Sequence, residues 1–172
     1  MFDMNFQFYM EKLRNSDSFK EFVKERPDAY FCSSFFIIDV VGKDNKVHID
    51  YYDPKKKELF GFEIENNAKK VPVEIFGENG LEKLSEDIDF DFKEIEEIVE
   101  NEVKKQQMKD KIQKILLSFQ KFKGKDFLVG TVFISKLGMI KIQIELESKK
   151  VLQFEKKSFF DVLKVKKNIK KE

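Results

Sequence analysis

The second half of this 172-residue chain restates the first about 96 residues later. Phe19 and Val23 answer to Ile115 and Phe119, and Phe31 to Phe127. Phe36, Ile37 and Ile38 answer to Val132, Phe133 and Ile134, and Gly42 to Gly138. Val47, Ile49 and Tyr51 then match Ile140, Ile142 and Ile144 at an offset of 93, and Leu59, Phe60 and Phe62 match Val151, Leu152 and Phe154 at 92. A stepwise fall of this kind is what trimming turns alone would leave. A repeat constrains the fold more than any single motif does. It predicts an α+β protein of two tandem units, each a helix followed by an antiparallel sheet of three to four strands.

Hydrophobic spacing supplies the elements. Phe6, Tyr9, Met10 and Leu13 mark a first helical stripe. Ser16 within Asn15–Ser18 offers a cap for a second, with Phe19, Phe22 and Val23 facing inward, before Pro27 ends it. Phe31 to Val41 reads as a strand with both faces apolar, so buried on two sides. Val47 to Tyr52 alternates cleanly, setting Val47, Ile49 and Tyr51 against His48, Asp50 and Tyr52. Strands follow at Leu59–Glu65 and Val71–Phe76. From Asp91 to a stop at Gly124, apolar residues recur every three or four positions, which predicts one long helix with a possible bend near Gln106-Gln107. Strands at Phe127–Leu137, Met139–Leu146 and Val151–Glu155 complete the second copy, with Phe159–Val165 as a further candidate. The expected organisation is 1–76 for the first unit, 77–90 for a linker, 91–165 for the second unit and 166–172 for a basic tail. Polar residues on one sheet face (His48, Asp50, Lys141, Gln143, Glu145) predict that it is wet. The doubly apolar strands then call for cover from the other copy or another subunit. Phe36, Ile38, Ile49, Ile115, Phe119, Ile134 and Ile142 are the expected core.

Composition narrows the function. Charged residues make up 38%, Trp is absent and Phe fills 20 positions. The formal net charge of +1 gives no global attraction to nucleic acid or anionic lipid. Cys32 is the single cysteine, which fits a reducing interior. No stretch approaches the roughly 20 apolar residues of a membrane span. A cytoplasmic protein is the expectation.

The run from Met139 to Phe154, MIKIQIELESKKVLQF, and the hairpin from Val47 to Leu59, VHIDYYDPKKKEL, resemble the PepSY domain, in which a helix precedes a small antiparallel sheet. Cystatin-like folds are compatible too. The resemblance implies a helix-plus-sheet fold and an inhibitory or binding role. The turn Ser148-Lys149-Lys150 lacks the glycine the family commonly carries, and the export expected of that family has no counterpart in the N-terminal residues.

Chemistry-bearing residues are sparse. His48, the only histidine, sits beside Asp50 on the polar strand face. A hairpin centred near Asp44 would set it opposite Val40, on the order of 25 Å from Cys32, which excludes a Cys–His dyad. Asp87, Asp89 and Asp91 mimic the opening of a calcium loop, but Phe92 and Ile98 stand where glycine and glutamate are required. Acids at the start of the long helix and lysines at its end (Lys109, Lys111, Lys114, Lys121, Lys123, Lys125) suit the macrodipole. The basic tail Lys164, Lys166, Lys167, Lys170 and Lys171 lacks an aromatic platform for single strands. No catalytic, metal or cofactor site emerges. The expected role is a non-catalytic protein- or peptide-interaction module with Tyr51, Tyr52, His48 and Asp50 on the candidate surface, and a homodimer is possible. Nucleic-acid binding through the lysines, and a small ligand carrier or enzyme with a pocket between helix and sheet, are the alternatives.

Overall fold

Asn5 and Ser16 open the first two helices, each side-chain oxygen accepting an amide N–H of the following turn, from Phe8 and Phe19 respectively. The computed structural model describes residues 5–64, 68–73, 81–158 and 160. Helices α1 (Phe6–Asn15) and α2 (Asp17–Glu25) lead into strands β1 (Tyr30–Asp39), β2 (Lys46–Asp53), β3 (Glu58–Ile64) and β4 (Ala68–Val73). Helix α3 (Phe92–Lys105) leads into β5 (Ile112–Phe122), β6 (Lys125–Ile134), β7 (Gly138–Glu145) and β8 (Lys150–Ser158). The strands form one eight-stranded antiparallel sheet in the order β4-β3-β2-β1-β5-β6-β7-β8. Each half is therefore a helical segment and a four-stranded meander, and β1 pairs with β5 to join them. The expected fourth strand at Val71–Phe76 begins earlier, at Ala68, and the one at Phe159–Val165 lies almost wholly outside the described residues.

The predicted long helix is overturned. It ends at Lys105, where Gln107 takes a positive φ of 55°, and residues 112–122 form a central strand. Ile115 and Phe119, four apart, satisfy one helical turn and two strand periods alike. Pairing with β1 on one side and β6 on the other decides the matter: Ile115, Leu117 and Phe119 point into the core, and Leu116, Ser118 and Gln120 point away. The repeat fails in its predicted register for the same reason. Ile115 and Phe119 are strand residues where Phe19 and Val23 are helical, and β6 lies two strands from the position of β1. Nor do the halves cover each other, since they lie edge to edge.

All three helices pack on one face. Phe6 stacks near Phe31 and meets Phe119 edge-on, with ring centroids 6.0 Å apart in both pairs. Phe19 and Phe22 meet Tyr51 and Phe62, and Phe92 meets Phe36 at 4.9 Å. The seven expected core residues are all buried. Val23, expected inward, is largely exposed. Of the expected linker, 77–90, the described part, residues 81–90, forms a strap held to the core, and 77–80 lie outside the described residues. The Leu84 amide donates to the Phe31 carbonyl, Phe6 donates to the Phe90 carbonyl, and the Glu82 carboxylate accepts from Lys123 and Gly124. Asp89 accepts from Asn5 and Gln7, and Asp91 caps α3.

One ion cluster pins α2 to the β2–β3 hairpin. Arg26 donates to Asp53 at 2.9 Å, pairs with Glu58 at 2.8 Å and stacks over Phe60. Burial works against ionisation of Asp53, but Arg26 and the amides of Lys56 and Lys55 outweigh it and hold the carboxyl below its usual range. A depressed carboxyl stabilises the fold above its unfolded value, and this contribution is lost as pH falls through the folded value. Thermal stability should therefore hold from neutrality down to about pH 5 and fall below about pH 4. Asp53→Asn should start less stable at neutral pH and lose less on acidification. Parallel acid melting curves for the two proteins would contradict this assignment.

Candidate interaction surface

Strand alternation places a second set of side chains on the sheet face away from the helices. Across its middle, His48 pairs with Phe35, which pairs with Ser118, then Val129 and Gln143. The neighbouring row is Lys46, Ile37, Leu116, Thr131 and Lys141. Phe35, Ile37, Leu116 and Val129 are half-buried, and Phe133, one step toward the sheet end, is exposed. Ser118, Thr131 and Gln143 border this apolar row, with Lys46 and Lys141 at the ends of its second line and Lys114 beside Phe133.

The residues expected on the candidate surface divide. His48, Asp50 and Tyr52 face the open side, Tyr52 against Tyr30 with centroids 5.7 Å apart. Tyr51 does not. It points into the core between Phe19 and Phe31, 2% exposed, and its hydroxyl donates to Glu86 at 3.0 Å. Burial and the Glu86 carboxylate push its phenol upward. Adjacent residues of a strand take opposite faces, so Tyr51 and Tyr52 could not share one.

A bulge in β1 between Phe31 and Ser33 shapes the polar corner. The Cys32 thiol contacts the Asp50 carbonyl at 3.4 Å, and burial pushes it up to about 12. Burial and the raised value both disfavour the thiolate that a nucleophilic cysteine needs. The Ser33 hydroxyl donates to the Asp50 carboxylate at 2.7 Å, and the Ser34 hydroxyl to the His48 carbonyl at 2.6 Å. Burial raises the Asp50 carboxyl despite the Ser33 bond. The expected 25 Å between Cys32 and His48 is corrected. Their hairpin pairs Phe35 with His48, because Asp39 accepts the Gly42 and Asp44 amides and centres the loop earlier. The two lie about three strand positions apart, roughly 10 Å. The Cys32 thiol is directed to the Asp50 carbonyl and the Ser33 hydroxyl to the Asp50 carboxylate, so neither is directed to His48.

Two hollows flank the end of the sheet where β1 terminates. One, of about 290 Å³, lies between the β1–β2 loop and α3 and is lined by Ile38, Asp39, Val40, Lys43, Lys93, Glu96 and neighbouring carboxylates. Burial, then Glu100 and Glu97, raise the Glu96 carboxyl. The other, about 500 Å³ and open, is lined by Val41, Lys114, Phe133 and their neighbours. Among the described residues no group of three His, Cys, Asp or Glu side chains is placed to hold a metal ion, and no helix is long and apolar enough to cross a membrane.

Of the lysines expected at a helix end, Lys114 and Lys121 lie on β5 and Lys125 opens β6, while Lys109, Lys111 and Lys123 lie in the flanking connections. Lys114 pairs with Asp39 at 3.9 Å, Lys121 with Asp126 at 3.0 Å and Lys125 with Glu145 at 2.9 Å. These three are offset by acids, and the tail lysines lie outside the described residues. Sequence patterning missed Phe35, Leu116 and Val129 as neighbours. The apolar alternation of β1 and β6 was the available signal, but β5 had been absorbed into a helix.

No family model matches the chain, so nothing among such models supports the PepSY or cystatin-like resemblance. No curated protein matches its sequence. Among solved structures, the crystal structure of a "putative lipoprotein" from Clostridium difficile 630 is similar in fold, with a TM-score of 0.51 and 19% sequence identity over 82% of this chain and 91% of that one.

Proposed function

We propose that this chain is a non-catalytic, cytoplasmic protein- or peptide-interaction module of the PepSY-like or cystatin-like kind. The observation that carries the reading is the open sheet face, where Phe35, Ile37, Leu116, Val129 and Phe133 form an apolar row while all three helices pack on the opposite face. Half-buried apolar groups framed by Ser118, Thr131 and Gln143 have the make-up of a contact surface with a polar rim. The buried Cys32 thiol, and the bonding of both Cys32 and Ser33 to Asp50 in place of His48, favour binding over chemistry.

A photo-crosslinking residue placed at Thr131 tests the reading in extract of the native host, with the same residue at Lys20 on exposed α2 as control. Discrete protein adducts are expected from position 131 and not from position 20. Cys32→Ser should leave their yield unchanged. Equal adducts from both positions would remove the open face as the contact surface, and loss of adducts in folded Cys32→Ser would overturn the non-catalytic reading.

A further inference from the structure

We infer that Asp50 is the point at which the open face takes up one cationic side chain, an arginine above all, from the protein or peptide bound there. This rests on the interaction reading and names a chemical requirement of the partner. Asp50 is half-buried on β2, in register with Ser33 of β1 on one side and Gly61 of β3 on the other. Ser33 donates to one carboxylate oxygen at 2.7 Å, and Gly61 sets no side chain beside it. Among the described residues no lysine or arginine pairs with Asp50, in contrast to Asp39, Asp53, Asp110 and Asp126, which each meet one. Folding gains nothing from this charge, because burial raises the carboxyl more than Ser33 and His48 lower it. An acid raised in this way favours the fold when protonated and disfavours it once ionised. A neutral asparagine would serve the Ser33 bond as well. A bound cation is what would offset the burial of this carboxylate.

The surroundings specify which cation fits. Tyr52 and His48 lie two residues to either side on the same strand and face, about 7 Å away by strand rise. Each is backed by a ring from β1: Tyr30 stands 5.7 Å from Tyr52, and Phe35 6.3 Å from His48. The Tyr30 hydroxyl is anchored on the Leu81 carbonyl at 2.8 Å, which fixes the tyrosine pair. A carboxylate between two aromatic pairs suits a guanidinium, which hydrogen-bonds the acid with its edge and lays its plane on a ring. An ammonium is more strongly hydrated and cannot stack, so it fits less well. Phe35 also belongs to the apolar row, so the arginine would stand next to apolar residues of the partner. The titratable groups around Asp50 are His48 and Tyr52 on β2, Cys32 and Tyr30 on β1, and Glu63 opposite His48 on β3.

The test uses the full chain, labelled with ¹³C and ¹⁵N, and two capped tripeptides: valine-arginine-valine, and its neutral counterpart with citrulline for arginine. The arginine peptide should shift the Asp50 carboxyl carbon and the rings of Tyr52 and His48, and lower the pH at which Asp50 titrates. It should bind about fivefold or more tightly than the citrulline peptide at low salt, a margin that shrinks as salt rises or as Asp50 is protonated. Asp50→Asn should be no less stable to heat at neutral pH and should bind the two peptides equally. Equal binding to the unsubstituted chain, or no binding of either peptide, would overturn the inference. So would an arginine preference that persists in Asp50→Asn, which would place the cation elsewhere. A loss of stability in Asp50→Asn would make the carboxylate structural and overturn it as well. Shifts confined to Phe35, Leu116 and Val129, equal for both peptides, would overturn it while leaving the interaction reading intact. The crosslinking outcome at Thr131 depends on none of these results.

Discussion

Phe119→Ala should destabilise the protein by about 3–5 kcal/mol, the usual cost of emptying a fully buried aromatic site. Phe119 is completely buried on β5. It meets Phe6 from α1, Phe31 from β1 and Phe90 from the strap, with ring centroids between 5.7 and 6.1 Å. Those contacts join the first half of the chain to the second, and each edge-on pair adds to simple burial. Phe119 and the three rings around it belong to four separate segments of one core, so collapse into the vacated space is resisted. Chemical denaturation with the slope unchanged measures the loss. A change under about 1 kcal/mol would show that Phe119 does not lie at this junction.

Gly130→Ala should be at least as damaging, costing about 3 kcal/mol or more. Gly130 lies on β6 between Leu117 of β5 and Ile142 of β7. A β-carbon there would overlap the Leu116 carbonyl oxygen, with the Leu116 carbonyl carbon at 2.9 Å and Leu117 Cα at 3.0 Å. These are backbone atoms of a central strand, held by ladders on both sides, so relief requires β5 and β6 to part. Gly124, in the turn between the same strands, has open space around its missing β-carbon and serves as the control. Its φ of +76° makes Gly124→Ala a conformational substitution alone, with an expected cost of about 1 kcal/mol. Equal small losses for the two variants would mean that β5 and β6 are not packed this closely.

The sequence revealed the antiparallel meanders because strand alternation and turn residues are local signals. Val47, Ile49 and Tyr51 alternate with polar neighbours, and Asp53-Pro54 and Ser148-Lys149 mark chain reversals. The strand β5 was hidden because Ile112, Ile115, Leu116 and Phe119 fit a helical stripe. Only its partners on both sides, fixed by tertiary pairing, impose the strand period. The duplication inherited that error. Residue matching sets β1 against β6, since both are apolar strands followed by glycine-containing turns, although β5 is the first strand after α3. His48, Asp50 and Tyr52 were legible as one face from alternation, and Tyr51 was carried with them by adjacency alone. The edge at β8 was not legible, because which strand ends a sheet depends on the order in which strands pair.

Residues 112–122, as a strand beside β1, make one sheet that, among the described residues, has its helices on one face, the other face uncovered and β8 at its end. Cross-strand nuclear Overhauser contacts measure this pairing directly. Backbone contacts between Phe36 and Leu117 and between Ser34 and Phe119 are predicted, with the strong sequential α-proton to amide contacts of extended chain through Ile115–Gln120. Helical contacts between residues three apart in 112–122, with no contact from β1, would contradict the fold and with it the proposed interaction surface.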